Sequence, residues 1–232
     1  LNRISLAAPQ IRFLIVTGFT GLNLLLGLMA LFYASQDLFP LAAACLLACV
    51  ILDACDGSLA RKWEVSSPFG AQLDSLADFT SFCIGSAALA YYWFSPEAPF
   101  YLIAGASSFY VFTGAVRLAR FNVTADPLSP PQYFQGMPTT SVSAVVAIVY
   151  LTCPHLSSTW GVPLVILLGL LMVSVFPYPK VCRLLRLPMW FWAVVALAAA
   201  VNLSWTAWVL AAAYMLSGPI IWAKRRCSEP GA

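Results

Sequence analysis

Eight apolar runs divide the chain: residues 14–33, 39–52, 79–94, 101–116, 142–153, 161–176, 190–201 and 205–222 carry no Asp, Glu, Lys or Arg. The runs are continuous rather than alternating, which predicts helices and argues against the strands of a membrane barrel. A bilayer span needs about 20 residues, so several runs must borrow flanking small or aromatic residues to cross. The pattern predicts an all-α polytopic transmembrane bundle of about eight spans, with six as the alternative. The first run is long enough to span and shows no small-residue cleavage site, so it reads as a retained span rather than a signal.

Composition agrees with the pattern. Only 9% of residues are charged and the mean hydropathy is +0.85, whereas soluble domains are about a quarter charged. Polar positions orient the bundle. Arg3, Arg12, Arg61, Lys62, Arg117, Arg120, Lys180, Arg183, Arg186, Lys224, Arg225 and Arg226 all fall on one side of an eight-span topology. The opposite connections carry Asp37, Glu97 and His155 instead. The positive-inside rule then places both termini and the 53–78 segment in the cytoplasm. The net charge of +3 is a topology signal, and no nucleic-acid partner is expected.

The whole chain, 1–232, reads as one membrane-embedded domain without repeats. Residues 1–12 are short, basic and mildly amphipathic, as expected of an interfacial segment. Residues 122–138 form the one long polar connection. The seven cysteines show no paired zinc-type spacing and no disulfide framework. The tryptophans at 63, 93, 160, 190, 205 and 222 fit an interfacial belt.

One stretch breaks the avoidance of charge. DACDGSLARKWEVSSPFGAQLDSLAD, residues 53–78, holds Asp53, Asp56, Asp74 and Asp78, four of only nine acidic residues. The spacings of three and four put each pair on one helix face. A turn of 17 residues between the pairs would let two helices fold back antiparallel, so that four carboxylates converge at the membrane edge. Such a cluster is unfavourable in a low dielectric without cations. Oxygen-only ligation favours Mg2+ or Mn2+, with Ca2+ also compatible, and two ions suit four carboxylates.

The residues between the pairs fit a phosphate ligand. Gly57 and Ala60 allow close backbone approach, Arg61 offers a bidentate fork, Gly70 opens space, and Ser66 and Ser67 offer hydroxyls. One carboxylate left over from ligation can accept a proton. A lone intramembrane Asp can equally serve helix pairing. An ion or proton transporter with an acidic site is the competing class, although it would place carboxylates deep in the spans rather than at span ends.

The pattern Asp53-x2-Asp56-Gly57-x2-Ala60-Arg61-x8-Gly70-x3-Asp74-x3-Asp78 resembles the signature of the CDP-alcohol phosphotransferase family. The segments 66–78, 117–122 and 136–138, with Thr20 to Gly27 in the first span, look like the bacterial integral-membrane phosphatidylserine synthase subgroup. The resemblance covers at least residues 13–140, and the last three or four spans add little to it. It implies transfer of the phosphatidyl group of CDP-diacylglycerol to L-serine with release of CMP, in a homodimer working on membrane lipid in a bacterial cytoplasmic membrane, with the active site facing the cytoplasm. Within the family the alternative acceptors are glycerol phosphate, inositol, inositol phosphate or choline.

The resemblance also implies roles. Asp53, Asp56 and Asp74 would be metal ligands, and Asp78 both a contributor to the metal site and the general base. Gly57, Ala60, Arg61, Ser67, Gly70, Thr17, Thr20 and Asn23 would bind the CDP-lipid. Relatives often carry Asn or Asp where this chain has Thr17, a departure that touches the nucleotide contact. Arg117, Arg120 and Asn122, at the membrane level of the aspartates, are candidates for an acceptor or a lipid phosphate. The two arginines read equally as topology anchors, and Asn23 equally as a helix-pairing residue.

Overall fold

A computed structural model describes residues 8–65, 67–124, 133–179 and 202–228. Helix α1 spans Ala8–Ser35 and α2 spans Phe39–Trp63. Helix α3, Pro68–Asp78, continues without a break through a π-helical segment, Phe79–Gly85, into α4, Ser86–Phe94. Then come α5 (Phe100–Thr124), β1 (Tyr133–Gln135), α6 (Thr139–Thr152), α7 (Ser158–Val173), β2 (Pro177–Pro179) and α8 (Leu203–Ser228).

Among the described residues four helices are long and apolar enough to cross a membrane: α1 from Gln10, α2, α5, and α8 over Ser204–Lys224. Helices α6 and α7 are shorter apolar rods. The expected span at 190–201, together with Arg3, Ser66, Lys180, Arg183 and Arg186, lies outside the described residues.

The expected 17-residue turn is corrected. Helix α2 runs on through Gly57 and Ala60 to Trp63, with Arg61 and Lys62 in its last turn, where cations favour the helix dipole. It stops because Glu64 turns left-handed (φ 55°) and donates its N–H to Ala60 O. Helix α3 starts at once, with Ser67 as N-cap accepting from Gly70 N at 3.0 Å and Pro68 in the first turn. The connection is therefore only Glu64 to Ser67, and the aspartates sit within helices rather than at their ends.

Small residues let the helices close around this hairpin. Gly27 of α1 sits directly on Ser81 of the π-helical segment, where an added Cβ would strike the Ser81 side chain and Cα. Gly114 of α5 is pressed in the same way against Cys83. Close approach at small residues is how membrane helices gain packing. Tyr110 Oη donates to Phe82 O at 3.2 Å and the hydroxyls of Ser86 and Ser143 lie 2.7 Å apart, joining the π-helical segment to α5 and α4 to α6. Gly27→Val should therefore cost about 1–3 kcal/mol of stability by overpacking. The check is a lower thermal midpoint of the detergent-solubilised protein.

At the end bearing Asp37 and Glu97, Glu97 accepts Ser158 N–H at 2.9 Å and Trp93 Nε1 donates to Pro154 O at 2.9 Å. At the other end β1 and β2 pair antiparallel, with Phe134 opposite Tyr178, a ribbon that the hydropathy pattern does not anticipate. Gly136 follows β1 at φ 78°, with Met172 O where a Cβ would stand, so only glycine fits there.

Candidate active site

Helices α2 and α3 deliver the carboxylates. One carboxylate oxygen from each of Asp53, Asp56 and Asp74 lies within 4.8 Å of the other two. Asp56 is buried and its Oδ2 accepts a 2.9 Å bond from Thr20 Oγ1 of α1, itself buried. Asp78 stands beside this trio rather than in it. Its side chain meets that of Asp53, it faces Asp74 and Arg117, and its Oδ1 is sealed off without a hydrogen-bond partner. The donors are oxygens alone and they converge in a half-buried position, so the set suits a hard divalent cation.

A cleft of about 150 Å³ opens beside the trio. Asp56 and Asp74 form its acidic wall, while Thr17, Thr20, Gly57 and Ala60 line one side and Ser67 and Gly70 the other. Phe13 and Val16 add an apolar face, and the Phe13 ring stands 6.5 Å from that of Phe69. A Cβ at Gly57 would meet only the Arg61 guanidinium. The α2 backbone is therefore bare toward the cleft, with the exposed Arg61 side chain folded over it. Ser67 spends its oxygen on capping α3, and the chain at Gly70 serves that cap rather than simply opening space.

Asn23 does not line the cleft. It is fully buried, and both atoms of its side-chain amide lack partners. Arg117 is buried as well, donating from Nη1 to Thr139 Oγ1 at 3.2 Å, and its Nε has no partner. Arg120 is turned toward backbone: it donates to Gln135 O at 2.8 Å, Val173 O at 3.2 Å and Ser174 O at 3.4 Å. Asn122 and Ser75 bond each other, with Asn122 Nδ2 2.9 Å from Ser75 Oγ, which clasps α5 to α3. Two neighbours escaped the sequence reading: Thr139, just past the Gly-Met-Pro string, and Ser81, one turn beyond Asp78.

A model of the CDP-alcohol phosphatidyltransferase family matches residues 13–176, from the first cleft residue to the end of α7 and beyond. The chain belongs to the CDP-alcohol phosphatidyltransferase family. As a member it is an enzyme of phosphorus-group transfer. Curated relatives agree over the same region. Two Helicobacter pylori proteins named CDP-diacylglycerol–serine O-phosphatidyltransferase are each 34% identical over 168 residues, 70% of this chain and 70% of theirs. A Methanocaldococcus jannaschii protein of the same name is 35% identical over 162 residues, 69% of this chain and 71% of its own. For this phosphatidyltransferase, α8 lies past the region that the family model matches.

Proposed function

We propose that the enzyme transfers the phosphatidyl group of CDP-diacylglycerol to the hydroxyl of L-serine, forming phosphatidylserine and CMP. The convergence of the Asp53, Asp56 and Asp74 oxygens beside a cleft whose wall includes Asp56 and Asp74, with Asp78 next to them, carries this reading. The names of the curated relatives support serine as the acceptor.

Asp53, Asp56 and Asp74 would hold two divalent ions, Mg2+ or Mn2+, with Asp78 contributing from its neighbouring position. When bound, such ions neutralise the diphosphate and make CMP a better leaving group. Gly57 lets the α2 backbone approach the diphosphate, and Arg61 closes over it as a cation. Asp78 takes the proton of the acceptor hydroxyl. That oxygen then forms a bond to the diacylglycerol-linked phosphorus, the bond to the CMP oxygen breaks, and CMP leaves with the electron pair. Phe13 and Val16 give the lipid an apolar approach from the bilayer. The basic residues orient eight spans with both termini and the cleft toward the cytoplasm, and the family resemblance suggests a homodimer.

Thr20 holds Asp56 from behind, and losing such a partner of a ligand typically costs 10–100-fold in metal affinity. Thr20→Val should raise the Mn2+ concentration for half-maximal activity by about that factor, while excess Mn2+ restores most of the rate. Liposomes carrying CDP-diacylglycerol, Mn2+ and L-serine should yield phosphatidylserine and CMP in equal amounts. No CMP with any acceptor alcohol, together with ion flux across the liposome membrane, would favour the transporter class.

A further inference from the structure

Asn23 has an amide that the fold does not use. It is fully buried and its Nδ2 and Oδ1 both lack partners, whereas its main-chain carbonyl is claimed twice, by Ser81 Oγ at 2.9 Å and Cys49 Sγ at 3.4 Å. Those contacts fix where it stands. Ser81 lies one turn beyond Asp78 on the continuous α3–π–α4 rod, and Cys49 lies one turn before Asp53 on α2, within electrostatic reach of Asp78. Asn23 therefore occupies the layer directly beneath the carboxylates. Side chains on a helix tilt toward its N-terminus. The N-terminal direction of α1 leads to Thr20, which already bonds Asp56. The Asn23 amide is thus directed at the carboxylate layer, where Asp78 Oδ1 is the sealed oxygen without a partner.

The geometry points to Asn23 as a positioning residue for Asp78: its amide holds Asp78 Oδ1 across one buried water and leaves Oδ2 to take the acceptor's proton. This rests on the reading of Asp78 as the general base. Buried waters join about three otherwise unsatisfied groups, and here the two amide atoms and one carboxylate oxygen make such a set. The seat beneath is firm. Gly27, one turn further along α1, allows the close contact with Ser81, and Tyr110 Oη fixes the Phe82 carbonyl. A general base works only within hydrogen-bond reach of its proton, so a carboxylate free to rotate would lose rate without losing substrate.

The test separates positioning from structure, because an unused buried amide and a working one predict opposite results for Asn23→Leu. If the amide is unused, exchanging it for an apolar side chain of similar size leaves stability unchanged or raised and kcat unchanged, whereas if it works the exchange strips Asp78 Oδ1 of its partner. We expect Asn23→Leu to lower the thermal midpoint modestly and to lower kcat at least tenfold. KM for CDP-diacylglycerol and the Mn2+ requirement should stay within twofold, and Asn23→Ser, which keeps a short donor, should recover part of the rate. Wild-type kcat in a folded Asn23→Leu protein overturns the inference. If that variant does not fold, Asn23→Ser decides: reduced kcat at unchanged KM supports the inference and wild-type kcat overturns it. Asp78→Asn run alongside distinguishes the two readings. Full turnover there removes the base and the positioning role together, whereas an inactive Asp78→Asn with a fully active Asn23→Leu removes only the positioning role.

Discussion

Asp78→Asn should abolish turnover while leaving Mn2+-dependent binding of CDP-diacylglycerol largely intact. Asn keeps the size of the side chain but cannot accept the acceptor's proton. Positioned general bases contribute about 10²–10⁴-fold to rate, and kcat should fall by that amount. Binding should survive because the carboxylate oxygens that converge belong to Asp53, Asp56 and Asp74, with Asp78 beside them. The measurement pairs single-turnover CMP release with equilibrium binding of the CDP-lipid. Loss of both together would move Asp78 from base to obligatory ligand.

The second large effect is the converse. Asp56→Asn should remove metal binding and activity together, and added Mn2+ should not rescue it. Asp56 is the buried member of the trio, held by Thr20 and reaching the cleft wall. An amide there still satisfies Thr20, so the fold should tolerate the change, but it withdraws a charged oxygen from the ligand set. The loss should exceed the 10–100-fold expected when only a supporting hydrogen bond is removed, which ranks Asp56→Asn well below Thr20→Val. Titration of Mn2+ followed by its paramagnetic signal checks the order. Chelation of divalent ions should silence the wild type in the same way.

How much of this was legible in the sequence follows from what each signal measures. The spacings 53/56 and 74/78 report a helix face directly, so the meeting of two carboxylate pairs was legible in residue numbers, whereas the closer grouping of Asp53, Asp56 and Asp74 with Asp78 to one side was not. Hydropathy reports desolvation, not helicity. It therefore ended the second apolar run at residue 52 and left residues 57–73 to a turn, whereas α2 continues to Trp63 and stops only at the left-handed Glu64. Its neighbour starts at the Ser67–Pro68 cap, a local signal that was present but outweighed by the length of the polar stretch.

Long-range partners were out of reach. Arg120 looks like Arg117 in the sequence, three residues away at the end of one helix. Yet Arg120 turns to the carbonyls of Gln135, Val173 and Ser174, while Arg117 points inward to Thr139 and Asp78. Only the packing of α6 and α7 distinguishes them. Asn23 is similar: grouped with Thr17 and Thr20 by resemblance, it is separated from the cleft by its register on α1. The π-helical segment after Asp78 has no hydropathy signature, but it carries Ser81 onto the Asn23 carbonyl.

The central claim is the identity of the acceptor that Asp78 activates. Purified protein with CDP-diacylglycerol and Mn2+ can be offered L-serine, glycerol phosphate, inositol, inositol phosphate and choline in parallel, with CMP release as the common readout. The account predicts release with L-serine and only background with the others. Equal or faster release with any of the other alcohols would contradict it.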